Sequence, residues 1–276
     1  MQRIDCKSFI KNADATYPKC GLNTECYVDS LCFTVYAAIS GKRMLEDESF
    51  SFSPIANSLK LKILYDDEAL NGFREAFGFS CLIEEKGILF DAGGDVDTLL
   101  FNMQKFRIDP LSSIRIIVLS HEHIDHTGGI QIINYCGKVD VFVPASFSDR
   151  FKGWLASHPN VRLYEVQELE EVCEGVFTTG ELGQFVKEQS LIVKTGNGLT
   201  VITGCAHPGL ENVLRAASKL GDIYGVVGGF HDFSRLEALK GMHLIVPCHC
   251  TVRKRGIFNL YPKTCKKCSA GCTILI

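Results

Sequence analysis

The segment Ile114-Arg115-Ile116-Ile117-Val118-Leu119-Ser120-His121-Glu122-His123-Ile124-Asp125-His126-Thr127-Gly128-Gly129 runs from a short apolar stretch into three histidines and an aspartate within six positions. Ile114–Leu119 reads as a buried strand that stops at Ser120. Neutral imidazole and carboxylate are ligands for zinc, iron or manganese. Such a density after a buried strand marks a metal-binding loop rather than a polar surface turn. Alternate side chains of an extended segment share a face, so His121, His123 and Asp125 are expected to point one way and His126 another. A turn after His123 would then divide the four between two neighbouring ions. Gly128-Gly129 permits close packing as a helix begins over Ile130–Ile133.

Around this loop, β-rich runs alternate with Gly- or polar-rich turns and helical stretches. Leu59–Tyr65, Phe79–Ile83, Gly87–Phe90, Val139–Val143, Leu199–Thr203, Ile223–Val227 and His243–Val246 are expected strands. Asp97–Phe106 and the stretch from Leu210 to Leu220 carry apolar residues at helical spacing, the second stopping at Gly221. Phe233–Lys240 is expected as a shorter helix capped by Asp232. This order argues an α/β architecture with parallel or mixed sheets. Residues 1–57 differ: they hold Cys6, Cys20, Cys26 and Cys32, show little strand alternation, and offer one candidate helix over Val28–Ile39 before a polar connection. They are expected to form an N-terminal extension or small subdomain, and residues 58–276 the metal-dependent domain.

The 276 residues are 46% hydrophobic and 22% charged, which supplies a sizeable core and excludes disorder. A net charge of −3 and the lack of any nucleic-acid motif argue against a polyanion partner and for a small-molecule one. No apolar run approaches the ~20 residues of a membrane span. The first thirty residues, with Arg3, Asp5, Lys7, Lys11 and Asp14, lack the apolar stretch of an export signal. A cytoplasmic location is expected. The thirteen cysteines are then reduced thiols or metal ligands rather than a disulfide framework.

The run His121, His123, Asp125, His126 resembles the His-x-His-x-Asp-His signature of the metallo-β-lactamase superfamily. Phe90-Asp91-Ala92-Gly93 is similar to that family's Asp-x-Gly element, whose Asp supports the metal loop from behind. Thr203-Gly204-Cys205-Ala206-His207-Pro208-Gly209 is similar to the element supplying the third His of the first ion. Pro247-Cys248-His249-Cys250-Thr251 is similar to the element supplying the last His of the second ion. The resemblance spans residues 58–276. It implies an αβ/βα sandwich of two mixed sheets with outer helices and metals at one edge. It also implies one or two divalent ions on His121, His123, Asp125, His126, His207 and His249, zinc first, with manganese or iron as alternatives.

Gly-Cys-Ala-His-Pro-Gly and Gly228-Gly229-Phe230-His231 narrow the resemblance to the 7,8-dihydropterin-6-yl-methyl-4-(β-D-ribofuranosyl)aminobenzene-5′-phosphate synthases. This implies a condensation with loss of diphosphate on phosphorylated or pterin-like molecules. Most two-metal members carry a bridging Asp between the third and last His, where this chain has Gly228-Gly229-Phe230-His231-Asp232. His231 or Asp232 could ligate there, or His231 could serve substrate as acid or base, while Asp125 would orient an attacking water in a hydrolase. A hydrolase of an ester, lactone or phosphodiester would use the same ligands.

Two further features stay open. Arg253 and Arg255, in Arg253-Lys254-Arg255, could receive a substrate phosphate or belong to a solvated loop. Cys265-x2-Cys268-x3-Cys272, with a fourth ligand from Cys20, Cys26 or Cys32, could hold an iron–sulfur cluster or zinc, which would make the chain a redox or sensor protein. Cys272 equally fits a packed thiol beside a terminal strand over Thr273–Ile276. Cys205, Cys248 and Cys250 adjoin the candidate ligands, with burial the simpler reading.

Overall fold

The computed structural model describes residues 58–276; the expectations for residues 1–57, including Cys20, Cys26 and Cys32, lie outside the described residues. The strands are β1 (Lys60–Tyr65), β2 (Ser80–Ile83), β3 (Ile88–Phe90), β4 (Ile116–Val118), β5 (Val139–Pro144), β6 (Val161–Val166), β7 (Glu170–Cys173), β8 (Val176–Thr178), β9 (Leu191–Thr195), β10 (Gly198–Thr203), β11 (Ile223–Gly229), β12 (Leu244–Cys248) and β13 (Thr273–Leu275). They form a seven-stranded sheet in the order β13-β1-β2-β3-β4-β5-β6 and a six-stranded sheet in the order β12-β11-β10-β9-β8-β7. Both are mixed: β3 to β6 and β10 to β12 run parallel, and the remaining neighbours antiparallel.

The helices are α1 (Val96–Lys105), α2 (Pro110–Ser113), α3 (Ile124–Thr127), α4 (Asp149–Ala156), α5 (Leu210–Ala217) and α6 (Lys254–Leu260). Apolar residues divide into three layers. Leu61, Ile63, Phe90, Val118, Val193, Ile202 and Val246 fill the space between the sheets. Leu99 and Met103 of α1 pack on Leu64, Leu89 and Ile117, and Leu210, Val213 and Leu214 of α5 pack on Val201, Val226 and Ile245. Each such side chain contributes roughly 1.5–3 kcal/mol when fully buried. β3 is buried along its whole length because both faces are covered, which explains its unbroken apolar sequence. The layers are helix, sheet, sheet, helix, the sandwich that the resemblance implies.

Most expected strands lie within a residue or two of their expected ends, and β6 to β9, α2, α4 and α6 are added. The expected helix over Phe233–Lys240 is instead a 3-10 turn, Leu236–Leu239, with Arg235 and not Asp232 at its N-cap. Phe233 is buried, and the Asp232 and Phe233 carbonyls accept bonds from the Arg253 guanidinium, which pins the preceding residues as a loop. The stretch after Gly129 is likewise 3-10, Ile130–Tyr135. Gly128 lets α3 lie directly on the loop after β3, since a Cβ there would run into the Gly94 carbonyl. Loops following the carboxyl ends of β3, β4, β10 and β12 thereby meet, the usual place for a ligand site in sheets with parallel strands.

Candidate metal centre

β4 ends at Val118, and Ser120-His121 follow as fully buried residues. The chain turns after His123, which stands at the N-cap of α3. That turn corrects the expectation that His121, His123 and Asp125 share a face. Asp125 is helical and swings to the side of His126, its Oδ2 lying 3.4 Å from His126 Nε2 and 3.1 Å from His249 Nε2. His121 and His123 stay together, with His121 Nε2 3.1 Å from His123 Nδ1. The His207 ring packs edge-on against both, with centroids 4.8 and 4.9 Å away. Two donor groups result: His121 and His207 with His123 beside them, and Asp125, His126 and His249. Cys205 Sγ lies within 4.8 Å of the donor atoms of His121 and His207 on one side and of Asp125, His126 and His249 on the other.

The orientation of each inner ring has a cause. His126 Nδ1 donates to Asp91 Oδ2 at 2.7 Å, which aims Nε2 at Cys205 Sγ, 3.1 Å away. Asp91 also accepts from the Ser120 backbone N–H and hydroxyl, at 2.6 and 2.7 Å. The Ser120 hydroxyl in turn reaches His121 Nδ1 at 2.9 Å. His249 Nδ1 donates to Asp67 Oδ1 at 2.7 Å, and its backbone N–H to Asp66 Oδ1 at 2.7 Å. Carboxylates that hold the outer nitrogen of a ligating imidazole fix its tautomer and raise its basicity. Asp91, Ala206, His231 and His249 all adopt left-handed φ values between 40° and 56°, strain of the kind that concentrates at functional sites.

Sequence reading missed three of these supports. Asp66 and Asp67 lie more than 180 residues from His249 in the chain. Glu188 is buried and accepts on Oε1 from the Thr203 hydroxyl and from the N–H groups of Gly204, Cys205 and Ala206, and on Oε2 from His207 N–H. It thereby shapes the whole turn that carries Cys205 and His207.

The electrostatics suit a cation. Burial and the neighbouring His126, His207 and His123 rings hold His121 well below the usual imidazole range, so it is a neutral donor. Burial works against a charge on His126 and His249. The Asp91 and Asp125 carboxylates outweigh it at His126, pushed up to about 10, and Asp125 and Asp67 at His249, pushed up to about 9. Burial would raise Asp125, but its bonds with His126 and His249 hold it well below the usual carboxylate range. A divalent ion would balance these carboxylates and displace protons on binding. His207 Nε2 is buried without a hydrogen-bond partner. An orphaned imidazole nitrogen amid converging donors is what a metal ion satisfies, so the residues present fit one.

The other candidates fall outside this cluster. His231 stands half-exposed at the rim, its ring 5.0 Å from His207, and the Asp232 carboxylate faces solvent. Arg253 is engaged with the Asp232 and Phe233 carbonyls, and Arg255 is exposed on α6; neither bonds to a histidine. Cys265 packs in the layer beneath α5, while Cys268 and Cys272 meet in the layer between the sheets. Cys268 also approaches Cys248 and Asp66, all three buried. The described cysteines are free thiols.

Residues 86–201 match the model of the β-lactamase superfamily domain. A 7,8-dihydropterin-6-methyl-4-(β-D-ribofuranosyl)-aminobenzene-5′-phosphate synthase of Methanocaldococcus jannaschii is 30% identical, over 71% of this chain and 88% of the relative. The chain belongs to the metallo-β-lactamase superfamily. Tm1679, a metal-dependent hydrolase of the β-lactamase superfamily, superposes with a TM-score of 0.64 at 28% identity, covering 78% of this chain and 98% of that one. The metallo-β-lactamase fold protein YhfI from Bacillus subtilis, at 12% identity and a TM-score of 0.59, shares the fold. The chain is an enzyme of this superfamily, with donor groups able to hold a divalent metal. No described helix is long and apolar enough to cross a membrane.

Because Asp67 holds His249 from outside the cluster, Asp67→Ala should leave the fold intact and weaken metal at the Asp125–His126–His249 group by roughly 10–100-fold. Titration with a metal-sensitive dye would detect it; unchanged affinity would mean that the Asp67 contact does not orient the ring.

Proposed function

We propose that the protein is a metal-dependent transferase that joins a pterin-like methyl diphosphate to a phosphorylated arylamine, releasing diphosphate. The observation that carries this reading is the 30% identity to the synthase across most of both chains. A groove of about 730 Å³ supports it. It opens at His207 and follows α5, with Phe185 fully exposed on one wall and Asn212, Arg215 and Lys219 on the other. An aromatic face and two cations without an ion pair among the described residues suit an aryl group bearing a phosphate ester.

Six imidazole and carboxylate donors, His121, His123, Asp125, His126, His207 and His249, would hold one or two ions, zinc being the best match to neutral imidazole with carboxylate. Such an ion supplies Lewis acidity toward an oxygen of the diphosphate. Arg215 and Lys219 would bind the arylamine phosphate and Phe185 would stack on a ring. The attacking ring carbon or amine nitrogen forms a bond to the methylene as the carbon–oxygen bond breaks, and diphosphate leaves with the electron pair. The proton released from the attacking atom needs an acceptor, and His231 at the rim, next to His207, would take it. Asp125, held ionised by His126 and His249, would orient an attacking water in the hydrolase alternative.

Incubating the zinc-loaded protein with the two substrates and measuring diphosphate tests the reading: release should require both. Turnover of an ester, lactone or phosphodiester panel, with no condensation, would favour the hydrolase alternative that the similarity to Tm1679 supports. Protein purified without air that contains iron and acid-labile sulfide would favour the redox alternative.

A further inference from the structure

Two donor groups side by side could hold two ions, and an anion between them would offset their repulsion. Where the resemblance places a bridging carboxylate, this chain has Gly228 to Asp232. A Cβ on Gly229 would strike the Gly204 carbonyl and the Cys250 sulfur, so no side chain fits at that position, and the Asp232 side chain is 88% exposed. The intervening space is filled by sulfur. Cys205 Sγ lies 3.1 Å from His126 Nε2 and is the one donor common to the group Asp125, His126, His249 and the group His121, His207 among the described residues.

Building on the proposed metal site, we infer that the Cys205 thiolate is the ligand shared by the two metal positions, in the role a bridging carboxylate has in other members. A thiolate is anionic and carries several lone pairs, and zinc accepts it readily beside imidazole. In two-metal sites the ions stand about 3.5–4 Å apart, a gap that one bridging atom spans. The backbone is built for this placement. Cys205 N–H is fixed on Glu188 Oε1 at 2.9 Å, and Ala206 takes a left-handed φ of 56°, which turns Cys205 and His207 toward the same centre. Cys250 Sγ lies 3.3 Å from Cys205 Sγ. Binding transfers the Cys205 proton to solvent as the sulfur–metal bonds form.

Loading the metal-stripped protein with cobalt tests this by absorbance, independently of activity. Wild type should take up two cobalt ions and show a near-ultraviolet thiolate-to-cobalt band. Cys205→Ser should lose the band and the second equivalent, while Cys250→Ser keeps both. Should the serine variant fail to fold, Cys205→Asp, which retains an anionic bridge, should bind two ions without the band. Cobalt bound to wild type with no thiolate band, or a band lost only in Cys250→Ser, overturns the bridging role and leaves the histidine site standing. Failure of wild type to bind cobalt overturns the metal site itself.

Discussion

Glu188→Ala should strip the protein of metal and lower its melting temperature more than a typical surface substitution does. The carboxylate is 1% exposed and accepts four backbone N–H groups and one hydroxyl, all from residues 203–207. Alanine leaves these donors facing a cavity, and each buried donor without a partner costs about 1–3 kcal/mol. Water entering the cavity would recover part of that loss. A net cost of about 3 kcal/mol is still a large share of the ~5–15 kcal/mol that holds a domain together. At roughly 2–4 °C per kcal/mol for a domain of this size, calorimetry should register a fall of about 6–12 °C. Glu188→Gln separates stability from positioning. Its oxygen can keep the four bonds now made to Oε1, but its amide N–H₂ would oppose the His207 N–H. The glutamine variant should melt close to wild type yet bind metal roughly 10–100-fold more weakly. Both variants behaving as wild type would show that the turn holds its shape without the carboxylate.

Glu188 also shows where sequence reading stops. The histidine loop is legible because its donors are contiguous and follow an apolar strand, and His207 and His249 are legible from Gly, Pro and Cys punctuation after strands. Glu188 sits in Lys187-Glu188-Gln189-Ser190, where no spacing signals a role; its meaning comes from bonds 15 to 19 residues away. Asp66 and Asp67 follow β1 as an ordinary polar pair, and only the tertiary fold brings them under His249. Cys205 had a signal, two residues before His207, but an isolated cysteine more often reads as a small buried hydrophobe. The alternation rule failed at Asp125 because α3 begins one residue before it, and a helical turn redirects a side chain that an extended chain would have kept beside His123. The run Cys265 to Cys272 is split by the fold: its first cysteine packs in a different layer from the other two, a division that spacing alone does not reveal.

Replacing His121 and His123 together by alanine should remove at least one bound ion and abolish turnover. His121 is fully buried against His123, His126 and His207, and its Nδ1 is held by the Ser120 hydroxyl, so no nearby side chain can take over its Nε2. The remaining donors of that group, His207 and Cys205, are too few to hold an ion in the three- or four-ligand environment that zinc requires. Stability should report the same loss. An ion at about 100 times its dissociation constant stabilises the folded state by about 2.7 kcal/mol, and the double variant forfeits that share. The comparison has a built-in control, because the metal-free proteins should differ less than the loaded ones. Full metal stoichiometry in the double variant would place the ions elsewhere. A loss of the same size in both metal-free and loaded proteins would mean that the histidines serve packing alone.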